Sequence, residues 1–296
     1  MPAYTKDFPE LLEPGLRTIW GMEDRAWQEE YSQIFEVGNM SKATETDFGL
    51  SGFGLAVQKG EGEPITYDTV YRTYKQTYTA LEYALGFIVT RIMYEDDQYR
   101  QMQQRPKALS RSMNETIEIY AASLLNTSTT ATKGADASYL NVTTHPYKGG
   151  TWSNILNPTA DLSVTSLEAV LVGIGDFVND RGLKYRCMPQ RIITTPTNSF
   201  QANQLLKSAQ LPGTANNDIN PVQNIMPKGT LVSHFLTSAS AWWVQTDAPN
   251  GLLFFWRRRK DFANDSDGDT QNAKYMSTMR FVAGVTDPRC TFQGKT

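Results

Sequence analysis

Three acidic residues alternate within one short stretch of the sequence: Asp265, Asp267 and Asp269. Alternating carboxylates of this kind can converge on a hard cation such as calcium. The stretch departs from a calcium-binding loop, because Gly268 stands at the fourth position rather than the sixth and Met276 occupies the twelfth, where a bidentate glutamate is needed. A solvated acidic loop is the better interpretation, and we predict neither a metal nor a cofactor.

Residues arranged for catalysis are scarce. The sequence has no Gly-x-Ser-x-Gly nucleophile motif, no Walker-type phosphate loop and no His-Glu-x-x-His pair. The stretch Gly52-Phe53-Gly54 begins like a dinucleotide-binding motif but lacks the third glycine. His145 and His234 are the only histidines, and each is at most an isolated candidate for a general base. We predict that the chain is not an enzyme; a hydrolase or transferase with an unrecognised site is the alternative.

The one basic cluster runs from Arg257 to Lys260, directly after the aromatic residues 254–256. Basic residues beside aromatic ones can contact nucleic acid, so a nucleic-acid-binding module is a second alternative. The net charge of -3 argues against a chain whose task is to neutralise phosphates. Because the acidic stretch 261–269 follows directly, we favour a strand end whose arginines pair with acidic groups of an adjoining subunit.

The composition is that of a soluble globular protein with room for two lobes: 296 residues, 40% hydrophobic and 20% charged. Cys187 and Cys290 do not form a metal-ligand pattern, and we expect buried thiols in a reducing compartment, without a disulfide. The first residues contain no apolar signal core, and the longest apolar runs fall far short of a membrane span. We therefore expect no membrane partner and synthesis in the cytosol.

One long helix, predicted from Asp96 to Asn126, is the element around which the chain is organised. Pro106 is expected to kink it, and its polar face, which includes Arg111 and Glu118, is expected to stay in water. The opposite face repeats at spacings of three and four, which is typical of a helix packed along one side. The residues of this apolar stripe are Tyr99, Met102, Leu109, Met113, Ile117, Tyr120 and Leu124.

Two segments before this helix are predicted to need a neighbouring surface. Short amphipathic helical pieces in residues 1–45 form an arm whose Trp20 and Trp27 must dock, either on the same chain or on another. Residues 46–81 are interpreted as a long β-hairpin, with strands Phe53–Lys59 and Ile65–Tyr78 around a Gly-rich turn. A two-stranded ribbon is marginal in water and has two open edges, so it needs cover. A hairpin inside an ordinary sheet is the alternative.

The remaining segments alternate between strands and helices without a regular parallel crossover pattern, which indicates an α+β lobe. A helix within 161–180 is expected to begin at a Ser163 or Thr165 cap. The other predicted elements are a strand at 87–92, a strand at 191–195, a helix at 197–209, a loop at 212–221, strands at 230–236, 241–246 and 252–258, and closing strands within 274–291.

Several of these segments, in this order, resemble tailed-phage major capsid proteins of the Hong Kong 97 fold. The run Tyr83–Arg91, followed by 95–99 and 105–112, looks like the join between the extended loop and the spine helix of that family. Later segments look like its axial domain and its closing strands. These later segments are Arg191–Pro196, Gly213–Pro221, Ala241–Val244 and Arg280–Arg289. The resemblance covers about residues 45–290, and no single motif carries it alone.

The resemblance implies an α+β Hong Kong 97-type capsid fold with five parts. These parts are an N-terminal arm (1–45), an extended β-hairpin loop (46–81), a peripheral domain (82–155) with the spine helix 96–126, an axial domain (156–269) and return strands of the peripheral domain (270–296). The implied function is that of a major capsid protein, which self-assembles into pentamers and hexamers of an icosahedral shell around double-stranded DNA. The implied location is the virion, assembled in the host cytoplasm.

The resemblance also suggests partners and contact residues. Because the arm after Met1 is short, we expect a separate scaffolding protein, together with a portal and packaged DNA bound without sequence specificity. Some family members crosslink a loop lysine to a neighbouring asparagine; Lys59 lies near the hairpin tip, but the sequence gives it no partner. The predicted subunit-interface residues are Trp20, Trp27, Lys59, Glu61, Glu63, Tyr67, Tyr71, Arg72, Tyr74, Lys75, Arg257, Arg258 and Arg259.

Overall fold

A computed structural model describes residues 8–96, 99–210, 218–267 and 272–295 of the chain. The described helices are α1 Phe8–Ala26, α2 Tyr31–Ile34, α3 Arg91–Glu95, α4 Tyr99–Asn126, α5 Val164–Gly175 and α6 Ser199–Lys207. The described strands are β1 Glu36–Asn39, β2 Thr44–Leu50, β3 Arg72–Thr79, β4 Leu81–Val89, β5 His145–Tyr147, β6 Gly150–Trp152, β7 Pro189–Thr194, β8 Thr230–Val232, β9 Trp242–Thr246, β10 Leu252–Asp267, β11 Asn272–Val285 and β12 Thr291–Lys295. The predicted α+β class is confirmed.

The described residues divide into two compact units, of which the first contains 8–44, 79–121 and 254–283. Its sheet has the strand order β1-β10-β11-β4. β11 runs antiparallel to β4, with Tyr275 opposite Phe87 and Met279 opposite Tyr83. From Asn272 to Phe281, every second residue of β11 is buried, as expected when one face of a sheet lies on a core.

Helix α4 supplies the apolar stripe that the sequence predicts, although it begins at Tyr99 rather than Asp96. Met102, Leu109, Met113 and Ile117 are all buried. Pro106 occupies the gap in the stripe and is itself buried, so the proline continues the packed face. The kink that we expect there stays a prediction.

Glu118 corrects our expectation that its side of α4 faces water, because only 3% of the residue is exposed. Its two carboxylate oxygens accept hydrogen bonds from the N–H groups of Glu30 (2.8 Å) and Tyr31 (2.9 Å). These amides lie at the start of α2, where backbone N–H groups have no partner inside the helix. Burial raises the pKa of the Glu118 carboxyl, and the two amides offset part of the cost of burying its charge.

The arm differs from its predicted form, because α1 is one helix of 19 residues rather than several short pieces. The Trp20 ring lies 5.7 Å from that of Phe262, between centroids, within the same unit. The indole nitrogens of Trp20 and Trp27 are both buried. Of the two docking alternatives, the structure therefore shows packing on the same chain for Trp20.

The second unit contains the described parts of 45–78, 122–253 and 284–295. Its sheet has the order β12-β9-β7-β8, in which β7 is parallel to β8 and antiparallel to β9. The Ser163 hydroxyl accepts the Ser166 N–H and Ser166 reciprocates, which confirms a capped start of α5. The core of this unit includes Leu167, Val170, Ile174, Leu205, Trp242, Val244 and Phe292.

Strand pairing divides the late segments differently from the predicted boundaries at 156–269 and 270–296. β10 lies between β1 and β11 in the sheet of the first unit, so residues 254–267 belong with the long helix rather than with the axial segments. β12 pairs with β9 in the second unit instead of returning to the first. The predicted boundaries followed chain order, whereas backbone hydrogen bonding groups strands that are distant in sequence.

The predicted hairpin strands are also displaced. β2 and β3 form the two-stranded sheet, and residues 51–71 between them contain only a turn at 61–62. The strand predicted at Phe53–Lys59 is therefore wrong, and of Ile65–Tyr78 only the part from Arg72 onward is a strand. Gly52 adopts a φ of +66°, beyond the end of β2, and Pro64 has no N–H for a ladder.

Replacing Glu118 by alanine is expected to lower the free energy of unfolding by about 2–4 kcal/mol, because two amides at the start of α2 lose their acceptor in a buried place. Chemical denaturation of the full chain measures this difference. Glu115→Ala is the matched control, since Glu115 is exposed on the same helix, and it should change the value by less than about 0.5 kcal/mol. Equal losses in both variants would contradict the assignment.

Candidate assembly surfaces

The loop formed by residues 51–71, here called the exposed loop, presents apolar side chains to solvent. Its five most exposed large apolar residues are between 63% and 87% exposed. They are Phe53, Leu55, Val57, Ile65 and Tyr67. Exposed apolar side chains concentrated on one segment make this loop a candidate interaction surface.

The tip of the exposed loop carries charge of both signs. Lys59, Glu61 and Glu63 are exposed there. The tip is a tight turn in which the Gly60 N–H donates to Glu63 Oε2 (2.9 Å) and the Glu63 N–H donates to the Gly60 carbonyl (3.3 Å). Glu61 is therefore presented at the turn, as a contact residue requires.

The predicted contact residues on β3 and just before it are less uniform. Tyr71, Arg72 and Lys75 are exposed, but the Arg72 guanidinium lies 4.4 Å above the ring of Phe48. Tyr74 is partly buried, and burial raises the pKa of its hydroxyl. Gly49 faces it so closely that an added Cβ would lie 2.3 Å from the Tyr74 ring. Tyr74 therefore packs against its own hairpin, and its role as an interface residue stays a prediction.

Both limbs of the exposed loop converge on Asp68. Its Oδ2 accepts the Gly54 N–H (2.8 Å) and lies 2.7 Å from Arg181 Nη1, while Oδ1 accepts the Thr69 N–H (2.8 Å). The Gly54 N–H lowers the pKa of the Asp68 carboxyl, and Arg181 acts in the same direction. No sequence pattern predicted this contact.

A buried ionic cluster lies next to Arg181 in the chain. Arg289 is 5% exposed, and it donates to Asp287 (3.1 Å), Asp180 (3.0 Å) and the Val178 carbonyl (2.9 Å). Its guanidinium also lies 5.1 Å from the centre of the Trp152 ring. Burial raises the pKa of Asp287, and the charge of Arg289 opposes that shift. Every nitrogen of the guanidinium has an acceptor, so the buried positive charge is fully compensated.

His145 is a structural residue in a polar network rather than a catalytic base. It is fully buried, with Nδ1 2.7 Å from Asp136 Oδ2 and Nε2 3.0 Å from Asn154 Oδ1. The side-chain nitrogen of Asn154 donates to the Leu140 and Pro288 carbonyls. A substrate therefore has no access to the imidazole, whereas His234, the other candidate, is exposed.

The basic cluster does not form one uniform patch. Arg258 donates to Glu82 of the same chain and to the Thr278 hydroxyl (3.0 Å). Lys260 bonds Asp24 and Asn114, and most of its side chain is buried. Arg258 therefore has an acidic partner on its own chain, and its pairing with an adjoining subunit stays a prediction.

Arg257 and Arg259 remain exposed on β10. Arg257 donates weakly to the Met40 carbonyl (3.4 Å), and the Arg259 guanidinium lies 5.5 Å from the centre of the Trp256 ring. In the part of the chain that the structure describes, neither forms an ion pair. These two arginines therefore offer positive charge to a partner.

The described residues contain neither a metal-ligating cluster nor a membrane-spanning helix. Asp269 lies outside the described residues, and so does residue 268, so the alternating acidic pattern is only partly visible. Within the described ranges, no cluster of three metal-ligating side chains occurs, and none of the helices is long and apolar enough to cross a membrane. Cys187 and Cys290 are buried free thiols, and burial raises the pKa of Cys187 to about 12.

The main features of the chain are a sheet packed with a long helix, a second α+β unit and an exposed apolar loop. A sequence profile of a family described as phage capsid protein matches residues 73–293, and the chain belongs to this family. No curated protein sequence matches the chain. The family match confirms the prediction that the chain is a major capsid protein of a tailed phage.

Solved structures of capsids share the fold. The capsid of Myoviridae phage XM1 is 13% identical with a TM-score of 0.52, and the match covers 90% of this chain and 91% of that one. The virus-like particle from Pyrococcus furiosus is 9% identical with a TM-score of 0.54, covering 95% and 98%. The procapsid of bacteriophage JBD30 is 13% identical with a TM-score of 0.50, covering 97% and 75%. The Hong Kong 97-type fold predicted from the sequence is confirmed.

Arg289→Ala is expected to lower the free energy of unfolding by about 3–5 kcal/mol, because it leaves the Asp287 and Asp180 carboxylates without their cation in a buried site. Chemical or thermal unfolding of the full chain tests this. Arg186 is an exposed arginine of the same unit, so Arg186→Ala, the control, should stay within about 0.5 kcal/mol of the parent. An Arg289→Ala chain as stable as the control would show that the cluster contributes nothing.

Proposed function

We propose that copies of this chain form the pentamers and hexamers of an icosahedral shell around double-stranded DNA, with the exposed loop of one copy lying on the next. The observation that carries the proposal is the set of five highly exposed apolar side chains between Phe53 and Tyr67. Head-to-tail contact, in which one patch meets a different patch, closes rings when the rotation is a simple fraction of a turn. Burying the loop on a neighbour would remove that apolar surface from water.

The two exposed arginines of β10 supply a polar part of the same contact. Arg257 and Arg259 carry charge that the described part of their own chain leaves without an ion pair. Glu61 and Glu63 at the loop tip are acidic groups of the kind that an adjoining subunit would bring. Rim charges of this type contribute more to orientation and association rate than to affinity. We assign Arg257 and Arg259, with the loop tip, to the interface between copies.

Assembly partners complete the proposed function. With a net charge of -3, the chain contacts packaged DNA without sequence specificity and is not itself a strong phosphate binder. A separate scaffolding protein and a portal take part during assembly in the host cytoplasm. Trp27, which is half-buried in the isolated chain, and Lys75 on β3 complete the proposed set of contact residues.

Replacing residues 55–67 by a short Gly-Ser linker is expected to leave a folded chain that no longer closes shells. The deletion keeps Gly54, Asp68 and both strands of the hairpin, so the two cores stay intact. Circular dichroism checks folding, and negative-stain electron microscopy counts closed particles. Closed particles of parent size from the deleted chain would overturn the role of the loop.

Reversing two charges tests the polar part of the contact. Arg257→Glu with Arg259→Glu is expected to reduce closed particles at least fivefold, and Glu61→Lys with Glu63→Lys added in the same chain should restore part of the yield, as charge complementarity requires. The control Arg186→Glu should assemble normally. Particles that form at the parent yield but retain less DNA would instead favour nucleic-acid contact by these arginines.

A further inference from the structure

The two limbs of the exposed loop are joined at the base by hydrogen bonds between Ser51 and Tyr71, and beyond these a side chain from outside the hairpin, Arg181, binds the loop. Arg181 Nη1 binds Asp68 Oδ2 (2.7 Å), and Arg181 Nη2 donates to the Thr69 carbonyl (2.7 Å). The guanidinium also lies 5.4 Å from the centre of the Tyr71 ring. A planar fork that engages a carboxylate and a carbonyl together fixes direction as well as distance.

The tie reaches both limbs of the loop. Asp68 and Thr69 belong to the returning limb, and the Gly54 N–H, on the outgoing limb, donates to the same Asp68 oxygen that Arg181 contacts. A Cβ at Gly54 would lie 3.3 Å from Arg181 Nη1 and 3.3 Å from Asp68 Oδ2, so a side chain at this position would crowd the contact. Residues 55–67, here called the distal loop, lie beyond this tie.

Hydrogen bonds within its own turn hold the backbone of Arg181 in place. The Asn179 side chain accepts the N–H groups of Arg181 (3.0 Å) and Leu183 (2.9 Å), and Gly182 takes a φ of +82° that the turn requires. Asp180, the preceding residue, binds the buried Arg289 (3.0 Å). The turn at 179–182 is therefore attached to the core of the second unit on one side and to the exposed loop on the other.

We propose that Arg181 is a positioning residue for assembly: its grip on Asp68 and Thr69 fixes the direction in which the distal loop leaves the second unit. This inference rests on the proposed function. A loop already oriented loses less conformational freedom when a neighbouring copy binds it, so a fixed base favours regular contacts over misdirected ones. Arg181 need not touch the neighbour to have this effect.

Amide hydrogen exchange in the full, unassembled chain tests the grip. Arg181→Gln should speed exchange at Gly54 and Thr69 about three- to tenfold, because their acceptor and its anchor become mobile. Arg181→Lys, which retains the charge but not the fork, should lie in between. Lys184→Gln is the matched control: Lys184 forms an exposed pair with Asp176 on the neighbouring segment, and its loss should leave both amides unchanged. Unaltered exchange at Gly54 and Thr69 in Arg181→Gln would show that Arg181 does not hold the loop.

Electron microscopy of the same variants tests the consequence. Arg181→Gln should keep the melting temperature of the parent within about 2 °C yet yield at least threefold fewer closed particles, with open or irregular assemblies in their place. Closed particles at the parent yield, despite faster exchange, would overturn the positioning role. If the parent chain itself forms no particles, the proposed function fails, whereas the exchange comparison still decides whether Arg181 holds the loop.

Discussion

A fully paired guanidinium, that of Arg289, is the interaction on which the architecture around the exposed loop depends. A cation removed from water is tolerable only when acceptors surround it, and Asp287, Asp180 and the Val178 carbonyl supply them. Because Asp180 precedes Arg181, the same short turn that neutralises the buried charge also reaches out to Asp68. The turn that helps to neutralise Arg289 inside the second unit therefore also positions Arg181, which contacts the exposed loop.

The exposed loop is the main reason for proposing that copies of this chain associate. Residues 51–71 form no strand, and five of their apolar side chains between Phe53 and Tyr67 are 63% to 87% exposed. None of the described sheets includes this segment, so it supplies no strand to either core. In the proposed assembly, another copy covers the loop, and the free energy gained from burying its apolar surface is repeated at every subunit of a closed shell.

Local patterns in the sequence were good predictors where the cause of structure is itself local. The spacing of Met102, Leu109, Met113 and Ile117 predicted the packed face of α4, and the Ser163 cap predicted the start of α5. The burial of Glu118 was missed because its partners, Glu30 and Tyr31, lie 88 and 87 residues away. The tie between Asp68 and Arg181 spans 113 residues, and no periodicity signals such a pair. The strands around the loop were misplaced because the β-prone composition of residues 53–71 could not reveal that the Asp68 side chain, rather than a backbone carbonyl, accepts the Gly54 N–H.

The basic cluster was also difficult to interpret, because the local sequence does not show which distant residues each side chain contacts. Four consecutive charges, Arg257 to Lys260, suggest one patch in the sequence, but the structure gives them separate surroundings. Arg258 is neutralised by Glu82 and Lys260 by Asp24, so half of the positive charge serves the first unit itself. The remaining two arginines are too few to neutralise a phosphate backbone, since each phosphate contact requires its own cation. Two exposed charges would suffice to orient an acidic loop tip of a neighbouring copy, which is the role that we propose for them.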